Sequence, residues 1–136
     1  KTDNPWRAQV DQRPRHQLDV WQIAKELAVE IYVLTGHFPD CEKYGLTSQL
    51  QRAGNSVQSN IAEGAARSTD SDFRRFLYQA RGSLEEVDCQ LELAGELGYL
   101  DELDVSPLAE RFNHLSRGLT GLIDFLTDRI AKSSTG

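Results

Sequence analysis

Residues 46–67 read LTSQLQRAGNSVQSNIAEGAAR, and the reading of this stretch decides the fold. Leu46, Leu50, Ala53, Val57 and Ile61 recur at steps of four, three, four and four residues. At about 3.6 residues per turn, that spacing keeps them on one side, the apolar stripe of a helix facing a core. A second stripe runs beside it: Gln49, Arg52, Ser56, Asn60, Glu63 and Arg67. It too advances in threes and fours, so one helix carries an apolar line and a polar line about 100° apart. A solvated helix face is usually built from long Lys and Glu side chains, whereas this one is short and amide-rich. Two readings stand: a solvated polar edge, or a hydrogen-bonded network held between helices or subunits. In the second, each unsatisfied member would cost about 1–3 kcal/mol.

The same rhythm repeats on both sides of this stretch. Upstream, Val20, Ala24, Leu27, Ile31 and Leu34 alternate four and three, which predicts a helix from Leu18 to Thr35. Trp21, Ala28 and Tyr32 widen its core face, and Gly36 ends it. The turn HFPD lets Phe38 fold back onto the core. The second helix is then expected to start near Asp40, with Asp40 and Glu42 in the first turn as the dipole favours, and to reach about Ala66. Downstream, Thr69 and Asp72 read as a capping box for a third helix, with Ser68 as the alternative cap. Its Phe73, Leu77, Ala80, Leu84, Val87, Leu91 and Ala94 alternate without a break, and Gly98 closes it. Ser106-Pro107 reads as a cap and first-turn proline for a fourth helix, which runs through Leu108, Phe112, Leu115, Leu119, Leu122 and Leu126 to about Lys132. Such stripes joined by short connections predict an all-α, up-down-up-down antiparallel four-helix bundle over residues 18–132.

Residues 1–17 form an N-terminal arm, and residues 133–136 a frayed tail. The arm holds two of the four prolines and has no periodicity, so it is expected to be disordered or ordered only on contact. It is mildly basic through Lys1, Arg7, Arg13 and Arg15, and its Trp6 is expected to dock in a surface groove.

A chain of 136 residues with 39% hydrophobic content fits one domain with one core. No apolar run is long enough for a membrane span, and no hydrophobic leader follows the N-terminal charges, so a cytoplasmic location is expected. Cys41 and Cys89 are too few for a zinc site or a disulfide framework. They read as reduced thiols, with a single bridge between them as the alternative.

The net charge of −6 argues against a generally basic nucleic-acid binder, but its distribution is uneven. Up-down topology gathers Arg13, Arg15, Arg67, Arg74, Arg75, Arg129 and Lys132 at one end. It gathers Asp40, Glu42, Glu92, Glu96, Asp101, Glu102 and Asp104 at the other. Most of these suit the helix dipoles, yet Arg74, Arg75, Glu92 and Glu96 on the third helix oppose theirs. That mismatch points to a partner, with an anion-binding end for RNA or DNA as the sharper form. Phe76, Tyr78 and Phe125 lie off the seams and suggest subunit packing.

Catalytic signatures are lacking. His16, His37 and His114 have no Glu three residues before them, which a di-iron bundle needs. No phosphate-cradling glycine loop, HExxH or nucleophile triad occurs. Arg111 and His114 sit too close together for the Arg-to-His spacing of four-helix ribonucleases. The expectation is a protein without catalytic residues, cofactor, metal or small-molecule substrate.

Three segments carry a resemblance: DVWQIAKELAVEIY, YGLTSQLQRAGNSVQSNIAEGAAR and FRRFLYQARGSLEEVDCQLELAGELGYL. Together they resemble the four-helix-bundle proteins encoded in 23S ribosomal RNA intervening sequences, whose fold is shared by the accessory variability protein of diversity-generating retroelements. The resemblance covers about residues 18–126. It implies a cytosolic bacterial bundle that assembles as a homopentameric ring without catalytic activity. The matching positions are Gln49, Arg52, Ser56, Asn60, Glu63, Gly64 and Arg67, with Gly82, Ser83 and Glu86 on the third helix. This chain departs from the family in having Gln58 where proline is frequent, and it is acidic where the nucleic-acid-associated retroelement proteins are basic. The expected role is therefore a homo-oligomeric assembly or scaffold, with an RNA- or DNA-binding accessory protein as the alternative.

Overall fold

The computed structural model describes residues 4–135, so the first three residues of the arm, Lys1 among them, and Gly136 of the tail lie outside the described residues. Helix α1 spans Asp19–Thr35, α2 Leu46–Ala65, α3 Asp70–Glu96 and α4 Glu102–Thr135. Two short 3-10 turns, Pro14–Gln17 and Asp40–Glu42, precede α1 and α2. Among the described residues there is no strand.

Helix direction follows from which residues meet. Trp21 bonds to Gln58 while Ile31 packs on Gly54, so numbers rise on α1 as they fall on α2. Gly64 faces Phe76, Ser56 meets Ser83 and Gln49 meets Gln90 along α2 and α3. Asp70 meets Arg129 and Arg74 meets Thr127 along α3 and α4. Val20 packs on Gly118 and Glu30 pairs with Arg111, which closes α4 against α1. Each neighbour is antiparallel, and the stripe residues Leu27, Ile31, Leu50, Val57, Ile61, Leu77, Val87, Leu115, Leu119 and Leu126 fill the centre.

Two glycines are needed where they stand. A Cβ on Gly64 would lie 2.8 Å from the Phe76 Cβ and 2.9 Å from the Phe73 ring, so α2 and α3 approach closely there. Gly98 ends α3 with φ of 79°, the left-handed conformation a side chain resists. At the other end of α3, Thr69 Oγ1 accepts from the Asp72 N–H at 3.2 Å, the expected cap.

Several boundaries differ from the sequence reading. Asp40–Glu42 is a separate 3-10 turn, and α2 begins only at Leu46, where Glu42 Oε1 accepts the Leu46 N–H at 3.1 Å. Helix α4 starts at Glu102, because Asp101 Oδ1 accepts the Leu103 N–H at 2.9 Å and so caps ahead of Ser106. Pro107 therefore sits inside the helix, where its ring nitrogen leaves the Leu103 carbonyl without its usual helical donor. Helix α4 also continues to Thr135, past the expected fraying point.

The described part of the arm, from Asn4 on, is structured as well. Asn4 Oδ1 accepts from the Trp6 and Arg7 N–H groups at 3.0 and 3.3 Å, and the Pro14–Gln17 turn packs on α1 and α2. Trp6 is 69% exposed and does not dock. Among the described residues, no helix is long and apolar enough to cross a membrane.

Candidate functional site

The polar stripe of α2 divides into a bonded centre and exposed ends. Ser56 and Ser83 share a hydroxyl hydrogen bond at 2.9 Å across α2 and α3. Asn60 Nδ2 donates to the Ser56 carbonyl at 2.9 Å and to its Oγ at 3.0 Å, and all three residues are half-buried. Further along, Gln90 Nε2 donates to Gln49 Oε1 at 2.7 Å, an exposed bridge. Arg52, Glu63 and Arg67 are exposed, with Arg67 4.0 Å from Glu63 one turn back. The stripe is thus an intramolecular seam around Ser56 and Asn60 and a solvated edge beyond it. Gly82 and Glu86, by contrast, are exposed on α3, with open space around Gly82.

Bonds of this kind also tie α1 to α2, and the sequence reading missed them. The Trp21 indole N–H donates to Gln58 Oε1 at 3.0 Å, and Gln51 Nε2 donates to Thr35 Oγ1 at 3.0 Å. Gln58, the departure from the family pattern, is therefore the acceptor that lets a buried tryptophan satisfy its N–H.

On the α1–α4 seam, Arg111 bonds Glu30 at 2.6 Å and Glu26 at 3.2 Å. The Glu30 bond, with help from Glu26, pushes the guanidinium pKa up. Hydrogen bonds from Gln22 and then Arg111 hold the Glu26 carboxyl below its usual range. Arg111 is thus committed to carboxylates, while His114 is exposed at the rim of the same shallow cleft. Among the described residues no group of His, Cys, Asp and Glu is placed to hold a metal. Cys41 and Cys89 are both exposed, free thiols.

The predicted basic end resolves into two clusters. In one, the Arg67 and Arg75 guanidinium groups lie 4.7 and 4.5 Å from the Phe76 ring centre. Arg75 bonds Asp72 at 2.9 Å, and Arg129 forks onto Asp70 with two 2.7 Å bonds, drawing the Asp70 carboxyl below its usual range. Arg74 donates to Thr127 at 3.1 Å, and Lys132 follows on α4. Asp70 and Asp72 suit the α3 dipole, and Arg75 is held against its own dipole by Asp72. In the other cluster, Arg15 and Lys25 lie 5.0 and 5.2 Å from the Trp21 ring, with Arg13 beside them on the 3-10 turn.

Apolar groups also reach the surface. Val29, Tyr32 and Val33 on α1 are each more than half exposed, at 58, 53 and 64%. Tyr32 therefore does not widen the core face as expected. Leu103 of α4 is 85% exposed and lines a cleft with Val33. Tyr78 and Phe125 are exposed, but Phe76 is buried, its Cβ against Gly64 of α2 and its ring under the Arg67 and Arg75 guanidinium groups.

Comparison with known proteins follows the same outline. A family model described as 23S rRNA-intervening sequence protein matches residues 16–121. A solved structure, described as a protein of unknown function from the S23 ribosomal protein family of Bacteroides thetaiotaomicron, superposes with a TM-score of 0.71. The two are 24% identical, with 77% of this chain and 95% of that one covered, which speaks to the fold alone. No curated protein matches the chain.

Proposed function

From the premise that this chain belongs to the 23S rRNA-intervening sequence protein family, we propose that it is a non-enzymatic homo-oligomeric scaffold, a pentameric ring in the cytoplasm. The observation that carries the assembly is the outward face of α1. Val29, Tyr32 and Val33 lie at i, i+3 and i+4, so they form one continuous apolar strip, and the core behind them is already filled. Fully burying a valine side chain is worth about 1.5–3 kcal/mol, which a neighbouring copy would recover. The pentameric number and the location rest on the family resemblance. Size-exclusion with light scattering tests the reading directly: a five-subunit mass supports it, and a monomer overturns it.

A second reading, an accessory protein for RNA or DNA, draws on the arginines stacked around Phe76 at the start of α3. It ranks second because Arg75 and Arg129 are already neutralised by Asp72 and Asp70. Loss of salt-dependent oligonucleotide binding in Arg74→Ala/Arg75→Ala would support it, and unchanged binding would remove it from these arginines.

A further inference from the structure

The segment before the family match makes a small structure of its own. Asn4 closes a tight turn through its side chain, and the Arg7 guanidinium donates to the Val10 carbonyl at 3.1 Å and to Gln12 Oε1 at 2.5 Å. The 3-10 turn then anchors the segment to α1 and α2. There His16 Nδ1 accepts the Arg13 N–H at 2.8 Å, and the His16 ring meets Trp21 edge-on at 5.4 Å. Between these two turns lies an open cleft of about 480 Å³, lined by Trp6, Gln9, Val10, Asp11, Arg13 and Arg15.

Two features of this cleft call for a ligand. Trp6 leaves 69% of its surface in water beside a ready cavity, and no described residue covers it. The charge is also locally reversed. Arg7, Arg13, Arg15 and Lys25 gather around this segment, with Asp11 as the carboxylate in the cleft lining, in a chain with 15 basic and 21 acidic residues. Burial and then these four cations hold the neighbouring His16 below its ordinary pKa. Arg15 is fixed over Trp21, which preorganises one guanidinium at the rim.

An exposed indole beside converging guanidinium groups matches an aromatic base that carries a phosphate. Stacking needs an open base face, which a duplex hides. We propose that the Trp6 cleft binds a phosphate-bearing nucleobase, stacked on Trp6 with its phosphate at Arg13 and Arg15, as a free nucleotide or within a single strand. This deepens the nucleic-acid reading and moves its contact from the α3 arginines to a segment outside the family match.

The test is fluorescence anisotropy of a labelled single strand of about ten nucleotides, a length one such platform spans, on the full chain at several salt concentrations. Trp6→Ala weakens binding by about fivefold or more, while Trp6→Phe retains most of it. Arg13→Ala/Arg15→Ala flattens the slope of log affinity against log salt by about 0.7, the release from the one single-strand phosphate they share. Arg13→Ala alone, which leaves the Arg15–Trp21 stack intact, flattens it by about half that. Arg74→Ala/Arg75→Ala leaves binding unchanged. Displacement of the strand by adenosine monophosphate identifies the free nucleotide as a sufficient ligand, and failure to displace identifies the strand; either keeps the proposal. It is overturned if Trp6→Ala binds as wild type or if duplex competes as well as single strand. Loss on Arg74→Ala/Arg75→Ala with Trp6→Ala unaffected sinks the cleft and leaves the second reading at α3. No binding by wild type sinks both.

Discussion

The α2–α3 seam and the outward face of α1 invert the usual rule for a bundle. Between α2 and α3, Ser56, Asn60 and Ser83 are half-buried polar groups with their hydrogen bonds made. On the outside of α1, Val29, Tyr32 and Val33 are apolar groups left in water. Polarity that is buried and satisfied fixes one helix pairing, because any slip would strand those groups at a cost. Apolar surface that is exposed costs the monomer solubility and is retained when something covers it. On the proposed reading, the contrast separates what builds the protomer from what would join protomers.

The sharpest way to break that separation is Val33→Glu. It places a charge at the C-terminal end of the α1 strip without touching the core. Stability of the fold should stay within about 0.5 kcal/mol, as for an ordinary surface change. The proposed ring should meanwhile fall to single chains in light scattering. An unchanged mass would move the subunit contact elsewhere.

Gly64→Ala addresses the other region. Alanine is the better helix former, yet its Cβ would meet Phe76 at 2.8 Å and Phe73 at 2.9 Å. Overpacking of this kind costs about 1–3 kcal/mol, more than the helix propensity returns. A lowered denaturant midpoint is the expected result; a raised one would mean the seam is looser than described. Asn60→Leu is smaller, about 1 kcal/mol, since it removes the donor to Ser56 and leaves the Ser56–Ser83 bond in place. Equal midpoints for wild type and variant would show the seam network to be energetically idle.

How much of this was legible follows from where the information sits. Stripe spacing is internal to one helix, so Leu46 to Ile61 and Phe73 to Ala94 were readable and the bundle with them. The Phe76 burial was not, because it depends on Gly64 of another helix making room. Tyr32 failed for the converse reason: a position at the edge of a stripe is buried only if a neighbour reaches it, and none does. Gln58 shows the same limit, since only the fold reveals that Trp21 needs its oxygen. The pairing of Arg75 with Asp72, three residues apart on one helix, was open to reading and went unread beside the dipole argument. Among the site residues, those of the α2 stripe were found as a group, but which of them bond across the seam was set by Ser83 and Gln90 on α3.

The smallest expected effect tests whether the ends of the bundle belong with the seam or with the surface. Arg129 forks onto Asp70 and tethers the last turns of α4 to the start of α3. Its hydrogen bonds hold the Asp70 carboxyl below the ordinary value, so the folded state binds that proton less readily than the unfolded chain does. The resulting stabilisation is present above the unfolded aspartate pKa and is lost as pH falls through the lower, folded value. Arg129→Ala should therefore lower the melting temperature slightly near neutral pH, and the difference from wild type should close on acidification below the usual carboxylate range. Salt should shrink it too, because both partners are solvent-accessible. A deficit that persisted unchanged into acid would assign the loss to packing of the Arg129 stem on Phe125, whose ring centre lies 5.0 Å from the guanidinium carbon, and would place this end with the buried seam after all.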